Sequence, residues 1–262
     1  MNQLKYFMGL LFWLPFFPLM VFQGMRLRKT LNFPAEPKDI RGAYGRSQQK
    51  FHILLIGESS VAGVGASSHA NGLPGGLARA LADHYDWEVS WEVVARSGYT
   101  AARVNRKLLS RIESTRADLV VIGLGANDAL GWRAPKKWAV DIEVLTSELR
   151  QRFASTPIMF MHLPPLKFFP ALPVLIRKSA SYNLNLLGAE IENLVREKEL
   201  LWFCGQAEEF NAALTEAGSK EELAGLFSDG IHPSEDTYQQ WGHILGRYVR
   251  DNQLIKTSEA AY

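Results

Sequence analysis

The stretch from Phe51 to Gly65 constrains the fold more than any other part of the sequence. It starts with an apolar run, His52 to Ile56, and then changes abruptly to Gly57-Glu58-Ser59-Ser60 and further glycines. A short apolar run bounded by glycines is typical of a buried parallel strand that ends in a tight turn. In an open α/β sheet, ligands bind just beyond the carboxyl ends of the strands. The pattern therefore predicts an α/β sheet with Ser59 at its functional edge.

Four more apolar segments follow, and stretches with apolar residues at helical spacing separate them. These four predicted strands are residues 87–95, 118–124, 157–163 and 200–204. Five strands that alternate with helices predict a parallel sheet with helices on both faces. We assign residues 51–252 to this domain and residues 253–262 to a C-terminal tail.

The composition argues against several classes of protein. A formal net charge of +2 over 262 residues is too balanced for a nucleic-acid-binding protein. The single cysteine, Cys204, excludes an internal disulfide and a multi-cysteine metal site. The histidines at positions 52, 69, 84 and 243 show no metal-ligand spacing. We therefore predict no metal site and no cofactor.

The N-terminus differs in composition from the rest of the chain. From Tyr6 to Met25 no residue is charged, and twenty helical residues span about 30 Å, enough to cross a bilayer core. We predict that residues 1–30 form a single-pass membrane anchor, in which Pro15 and Pro18 are tolerated. Residues 31–50 carry prolines, glycines and charges and are predicted to form a linker.

Two alternatives for this segment are a cleaved signal peptide and a buried helix. The apolar region exceeds a usual signal core, and no small-x-small cleavage pattern follows Phe22. Lys5 precedes the apolar span, whereas Arg26, Arg28 and Lys29 follow it. The positive-inside rule therefore favours a cytoplasmic catalytic domain over a periplasmic or other extracytoplasmic one.

Ser59 needs a base, because a hydroxyl is a weak nucleophile at its own pKa. Asp229 and His232 lie three residues apart in a glycine-containing turn near the C-terminus. His232 can accept the serine proton, and Asp229 can hold the other ring nitrogen and stabilise the imidazolium. The same pattern also occurs in ordinary solvated turns.

Two further positions provide donors for an oxyanion. Gly98 follows the second strand, where a residue without a Cβ lets a backbone N–H approach a substrate. Asn127 follows the third strand, and its amide is a donor that does not ionise. Together with the Ser59 N–H, these groups could converge on one oxygen. A turn glycine and an ordinary helix cap are the alternatives. The common position at the ends of strands favours the catalytic interpretation.

Four short blocks resemble, in order, those of the SGNH (GDSL-type) hydrolase family: Gly57-Glu58-Ser59, Gly98, Gly125-Ala126-Asn127-Asp128 and Asp229-Gly230-Ile231-His232. The resemblance covers roughly residues 51–250. It implies a flavodoxin-like three-layer α/β/α fold and an esterase or lipase that works through an acyl-enzyme. It also implies a triad of Ser59, Asp229 and His232, with oxyanion donors at Ser59, Gly98 and Asn127. Glu58 stands where the family usually has aspartate, so rearranged hydrogen bonds are expected in this turn.

The substrate side of the site is less defined by the sequence. The segment from Pro164 to Ile176 is apolar and contains four prolines. It could be a lid or wall of an acyl pocket, a surface that dips into a membrane, or ordinary packing. Within it, Phe168 and Phe169 are candidates for substrate binding, as is Trp132. A small-molecule or lipid ester is the expected substrate, and the membrane is an expected partner through the N-terminal helix.

Other functions remain open at this point. The same scaffold could transfer an acyl group to a lipid or glycan, or remove an acetyl group from one. A phosphate- or flavin-binding module is a further alternative, since such sheets bind phosphates at the first turn. However, this turn lacks the lysine of a phosphate-binding loop, and that function leaves Asp229 and His232 unexplained.

Overall fold

The computed structural model describes residues 2–205 and 219–255, and a six-stranded sheet lies at its centre. The strands are Arg41–Tyr44 (β1), Lys50–Gly57 (β2), Glu88–Ala95 (β3), Leu119–Gly123 (β4), Ile158–Phe160 (β5) and Leu201–Phe203 (β6). Their order across the sheet is β1-β3-β2-β4-β5-β6. All neighbouring strands are parallel except β1, which is antiparallel to β3. The five predicted strands are confirmed, with bounds shifted by a few residues.

The sixth strand, β1, lies inside the segment that the sequence predicts to be a linker. It is a short edge strand, mostly exposed, and its sequence Arg-Gly-Ala-Tyr lacks the apolar alternation that marks strands. Pairing with β3 makes it a strand: a Cβ on Gly42 would lie 2.3 Å from the Trp91 ring. Glycine therefore permits the close approach that the pairing needs.

Helices cover both faces of the sheet. They are Leu73–Tyr85 (α3), Ala101–Lys107 (α4), Ala126–Leu130 (α5), Pro135–Arg152 (α6), Val174–Glu197 (α7), Lys220–Gly225 (α8) and Glu235–Asp251 (α9). One group consists of α3 and α9, which pack against each other, and the other of α4, α6 and α7. The predicted three-layer α/β/α architecture is confirmed.

The register of the central strands decides where the functional residues meet. Gly57 of β2 pairs with Ala95 of β3 and with Gly123 of β4, so the three strands end at the same level. The core positions of β2 and β4 are buried on both faces, which explains their continuous apolar runs. The turns after β2, β3 and β4 therefore lie side by side at one edge.

The last helix, α9, brings the C-terminal turn to the same edge. The Ser234 hydroxyl accepts a hydrogen bond from the Thr237 N–H, as a cap at the start of α9 should. The Tyr238 hydroxyl donates to the Val64 carbonyl at 2.9 Å, which ties α9 to the turn that follows β2. His232, two residues before this cap, is thereby held near the serine turn.

Residues 2–30 are helical almost throughout: Asn2–Trp13 (α1) and Phe17–Thr30 (α2) are joined by a 3₁₀ turn, Leu14–Phe16. The segment Asn2–Thr30 is long and apolar enough to cross a membrane, and it lies near the N-terminus, where a signal sequence would also lie. The predicted C-terminal tail, residues 253–262, falls mostly outside the described residues, which end at position 255.

Candidate active site

Ser59 stands in a glycine-rich turn directly after β2. Gly57 ends the strand at a position that has no room for a side chain, since a Cβ there would lie 2.4 Å from the Gly123 carbonyl oxygen. Gly63 and Gly65 have φ angles of +74° and +95°, values that favour glycine and let the chain fold back. Within residues 2–205 and 219–255, no acceptor pairs with the Ser59 backbone N–H. The turn therefore presents both a hydroxyl and a free N–H.

Asp229 and His232 form a hydrogen-bonded pair. The Asp229 Oδ2 atom lies 2.8 Å from Nδ1 of His232, and Oδ1 accepts the backbone N–H groups of Ile231 and His232 at 2.9 and 2.8 Å. Burial raises the pKa of the Asp229 carboxyl, but the His232 ring and these N–H donors outweigh burial and hold the pKa below its usual value. Asp229 is therefore a carboxylate that fixes the ring through Nδ1, and no partner of Nε2 is found among the described residues.

Several contacts hold this turn in place. Gly230 has a φ of +83°, and a Cβ on it would lie 2.8 Å from the Ala171 side chain. The Ala171 N–H donates to the Gly230 carbonyl at 3.1 Å. The Phe33 ring meets the His232 ring edge to face, with 5.6 Å between centroids. The proline-rich segment and the residues after α2 therefore both support the histidine.

Gly98 follows β3 and has a φ of +75°. No atom of the described residues lies within 4 Å of the position that its Cβ would take, so the glycine faces open space in this part of the structure. Its N–H has no acceptor in the part of the chain that the structure describes. Gly98 therefore offers a second free backbone donor beside the serine turn.

Asn127 lies in the first turn of α5, and Glu58 holds it. The Glu58 carboxylate accepts the Ala126 N–H at 2.7 Å, the Asn127 N–H at 2.9 Å and the Asn127 side-chain amide. The second hydrogen of that amide points to the Tyr99 carbonyl, with 3.2 Å between Nδ2 of Asn127 and the carbonyl oxygen. Glu58 thus caps α5 and fixes the Asn127 side chain at the same time.

Burial and hydrogen bonding act in opposite directions on the pKa of Glu58. Its side chain is almost inaccessible, and burial raises its pKa from 4.5 to about 7, although the three donors from Ala126 and Asn127 oppose this shift. The neighbouring Asp128 is also buried, and burial raises its pKa to about 6. Asp128 accepts the Ala101 N–H at 2.9 Å at the start of α4. The two acidic residues therefore hold the turns after β3 and β4.

One cavity of about 590 Å³ joins these groups. Ser59, Gly98, Asn127 and His232 all line it, and Asp229 lies behind the histidine. Among the described residues no hydrogen bond joins the Ser59 hydroxyl to His232, although catalytic contacts are often long without substrate. The structure therefore brings the predicted nucleophile, base and donors to one place.

Most of the cavity wall is apolar. Trp132 and Phe169, two of the three predicted substrate-binding residues, line it, whereas Phe168 lies outside it beneath the Lys167 ammonium. The proline-rich segment forms one wall, which favours the interpretation as the wall of a pocket. Its lining residues are Pro164, Pro165, Leu166, Phe169, Leu172 and Ile176.

The opposite wall of the cavity could not be predicted from the sequence. It comes from α2, the second half of the N-terminal apolar segment, and from Phe33. The lining residues of α2 are Phe17, Met20, Val21, Gly24, Met25, Leu27 and Arg28. An apolar run predicts a helix, but it does not show against which part of the domain the helix packs.

Two further side chains, His162 and Cys204, have structural surroundings. His162 accepts the Trp241 indole N–H at 3.1 Å, and burial lowers its pKa to about 3, so it is neutral. Burial raises the pKa of Cys204 to about 12, so its thiol stays protonated. Within the described ranges, no group of three or more histidine, cysteine or acidic residues is placed to hold a metal ion.

A sequence model of the GDSL-like Lipase/Acylhydrolase family matches residues 55–240. The match covers more than half of the chain, so the protein belongs to this family. The resemblance to this family is thereby confirmed.

Solved structures show the same fold. The crystal structure of TesA has a TM-score of 0.56 and 19% identity, over 78% of this chain and 99% of the TesA chain. Esterase EstA from Pseudoalteromonas sp. gives 0.54 and 18%, over 77% of this chain and 98% of its own. Phospholipase A1 from Streptomyces albidoflavus NA297 gives 0.51 and 16%, over 76% and 98%. Comparison with curated proteins gave no match.

Proposed function

We propose that this protein is a serine hydrolase that cleaves carboxylic acyl esters through an acyl-enzyme intermediate. The observation that carries the proposal is that the Asp229–His232 pair opens into the same cavity as Ser59 and two backbone N–H groups that have no acceptor among the described residues. Membership in the family of GDSL-like lipases and acylhydrolases supports the same reaction class.

In the proposed reaction, Nε2 of His232 takes the proton of Ser59 as its Oγ attacks the ester carbonyl carbon. Asp229 keeps the ring in the required tautomer and stabilises the imidazolium. The imidazolium then protonates the leaving alcohol as the acyl–oxygen bond breaks. A water molecule, deprotonated by His232, cleaves the acyl-enzyme and restores the Ser59 hydroxyl.

The developing negative charge on the carbonyl oxygen needs donors that are already in position. We assign this role to the N–H groups of Ser59 and Gly98 and to the amide of Asn127. Glu58 holds one hydrogen of that amide, so the hydrogen that faces Tyr99 at 3.2 Å is the one that turns to the substrate. Glu58 is therefore a positioning residue that acts through Asn127.

Hydrolysis of short p-nitrophenyl esters tests the proposal, with two neighbouring serines as matched variants. Ser59→Ala is expected to lower kcat by about 10⁴-fold or more, because no other group takes over nucleophilic attack. Ser60→Ala, in the same turn, is expected to keep kcat within about tenfold. Urea unfolding shows that both variants are folded. Activity that survives Ser59→Ala, or that is lost only in Ser60→Ala, would reject Ser59 as the nucleophile.

A further inference from the structure

We propose that the N-terminal segment, α1 and α2, lies within one leaflet of a lipid bilayer and forms a wall of the catalytic cavity. An ester lipid of that leaflet would then reach Ser59 without passing through water. This inference rests on the proposed function, because it names where the ester resides and how it enters. In this proposal the N-terminal segment lies in the membrane plane, whereas the sequence alone predicts that it crosses the membrane.

The first observation is the shared wall. Residues of α2 line the cavity that Ser59 and His232 line, and Met20 is buried there with its sulfur 3.3 Å from the Ser179 hydroxyl. A Cβ on Gly24 would lie 3.8 Å from Ile176, which also lines the cavity. The helix is therefore part of the catalytic cavity rather than a distant tether.

The second observation is that both ends of the segment contact the same helix, α7. Near the start of the segment, the Asn2 amide donates to Glu190 at 3.0 Å, and the Tyr182 hydroxyl donates to the Lys5 carbonyl at 2.5 Å. A Cβ on Gly9 would lie 2.3 Å from the Tyr182 ring, so the two surfaces touch. Towards the end of the segment, Met20 and Gly24 contact α7 as described above.

These contacts do not suit a helix that crosses the bilayer. A crossing helix has its two ends near opposite membrane surfaces, so α7 would have to lie across the hydrocarbon beside it. That helix carries Arg177, Lys178 and Glu190, and charges inside the hydrocarbon are costly. A segment that lies in one leaflet keeps every contact with α7 and immerses only its outer face.

The third observation is that this outer face is apolar and exposed. Soluble proteins rarely leave so large an apolar patch in water, and Arg26, Arg28 and Lys29 beside it suit anionic headgroups. All side chains of the patch are hydrocarbon or thioether, which suits lipid chains better than a protein interface with its hydrogen bonds. The patch consists of Leu4, Phe7, Met8, Leu11, Phe12, Leu14, Phe16, Leu19 and Phe22, which are 39–75% exposed.

A lipid acyl chain would therefore enter between α2 and the proline-rich wall. Its ester carbonyl would reach Ser59 while the rest of the chain stays between apolar side chains. The reaction remains the hydrolysis described above: water supplies a hydroxyl to the acyl group, and the alcohol leaves with the proton.

The activity test uses the full chain in phosphatidylcholine vesicles with a minority of phosphatidylglycerol. A long-chain fluorogenic ester is placed in the vesicles, and p-nitrophenyl acetate is dissolved in the water. Met20→Trp and Gly24→Phe fill the cavity from the helix side and are expected to lower the long-chain to acetate activity ratio roughly tenfold or more. Phe22→Trp on the outer face is the control, and its ratio should stay within about twofold.

An unchanged ratio in both inner-face variants, or an equal change in Phe22→Trp, would overturn the proposal. The acetate rate shows that each variant is folded and active. If Ser59→Ala kept that rate, the proposed function would fail, and this outcome is separate from any change in the ratio.

A depth measurement tests the placement without relying on activity. In a Cys204→Ser background, which removes the chain's one cysteine, Leu4→Cys, Phe12→Cys and Phe22→Cys each carry a fluorophore quenched by spin-labelled lipids. A segment in one leaflet places all three at similar depth on the same side. Phe12 at the bilayer centre, with Leu4 and Phe22 near opposite surfaces, would contradict the proposal.

Discussion

Replacing Glu58 with glutamine tests how the site holds Asn127. Glutamine keeps the length of the side chain, but only one of its two terminal atoms accepts hydrogen bonds. Because the Glu58 carboxylate accepts two backbone N–H groups and the Asn127 amide, the new NH₂ group must face a donor. If the NH₂ replaces Oε1 it meets the Ala126 N–H, and if it replaces Oε2 it meets both Asn127 donors. Either placement pushes the first turn of α5 away from residue 58, so we expect the Asn127 amide to leave its present position.

General magnitudes for such contacts give the size of the effect. A hydrogen bond to a charged group contributes about 1.5–3 kcal/mol, and one oxyanion donor lowers the barrier by about 3 kcal/mol. If Glu58 acts by aiming Asn127, then Glu58→Gln should lower kcat/KM by roughly 10²-fold, with most of the loss in kcat. Asn127→Ala should lower it by 10²- to 10³-fold, since it removes the donor itself.

The double variant Glu58→Gln/Asn127→Ala shows whether Glu58 acts through Asn127 or independently of it. Once Asn127 is alanine, Glu58 has no amide to aim, so the double variant should be about as active as Asn127→Ala alone, with a coupling energy of about 3 kcal/mol. The assay is kcat/KM for p-nitrophenyl butyrate at constant pH, with urea unfolding as a check on the fold. Additive losses, approaching 10⁵-fold in the double variant, would refute the positioning role.

Three further predictions follow from the same groups. Asp229→Asn should lower kcat by about 10³- to 10⁴-fold, because an amide does not hold the His232 tautomer that accepts the serine proton; a loss below tenfold in steady-state assays would contradict this. Because burial raises the Glu58 pKa from 4.5 to about 7, its contribution to stability is complete below pH 4.5 and decreases by about 3 kcal/mol as the pH rises through 7. Urea unfolding over this pH range should show that decrease in the wild type and a flatter profile in Glu58→Gln. Gly98→Ala should lower the free energy of unfolding by about 1–2 kcal/mol, because alanine at a φ of +75° is strained even though its Cβ meets no atom; unchanged stability would show that the turn relaxes.

The central sheet could be predicted because its strands are buried on both faces. The runs in β2 and β4 are continuous and apolar, and glycines follow them directly, so both their type and their ends are clear in the sequence. The grouping of Ser59, Gly98 and Asn127 followed from the rule that parallel strands end at one edge. The Asp229–His232 pair lies within one short turn, so local spacing could indicate the contact, although the same spacing also occurs in ordinary solvated turns.

The rest depended on packing between distant segments. β1 becomes a strand by pairing with β3, where Gly42 lies against Trp91, and its own residues carry no strand pattern. Glu58 could be seen as a departure from aspartate, but its three donors come from residues about seventy positions away, so their arrangement is a tertiary property. The wall formed by α2 was hidden for the same reason, since hydropathy describes a helix and not its partner.

Labelling with a fluorophosphonate tests the central claim most directly. The reagent phosphonylates an activated serine, and intact mass followed by peptide mapping identifies the modified residue. We predict a single adduct on Ser59, absent in Ser59→Ala and formed much more slowly in His232→Ala, with Ser60→Ala labelled like the wild type. An adduct on another residue, or full labelling of Ser59→Ala, would contradict the account.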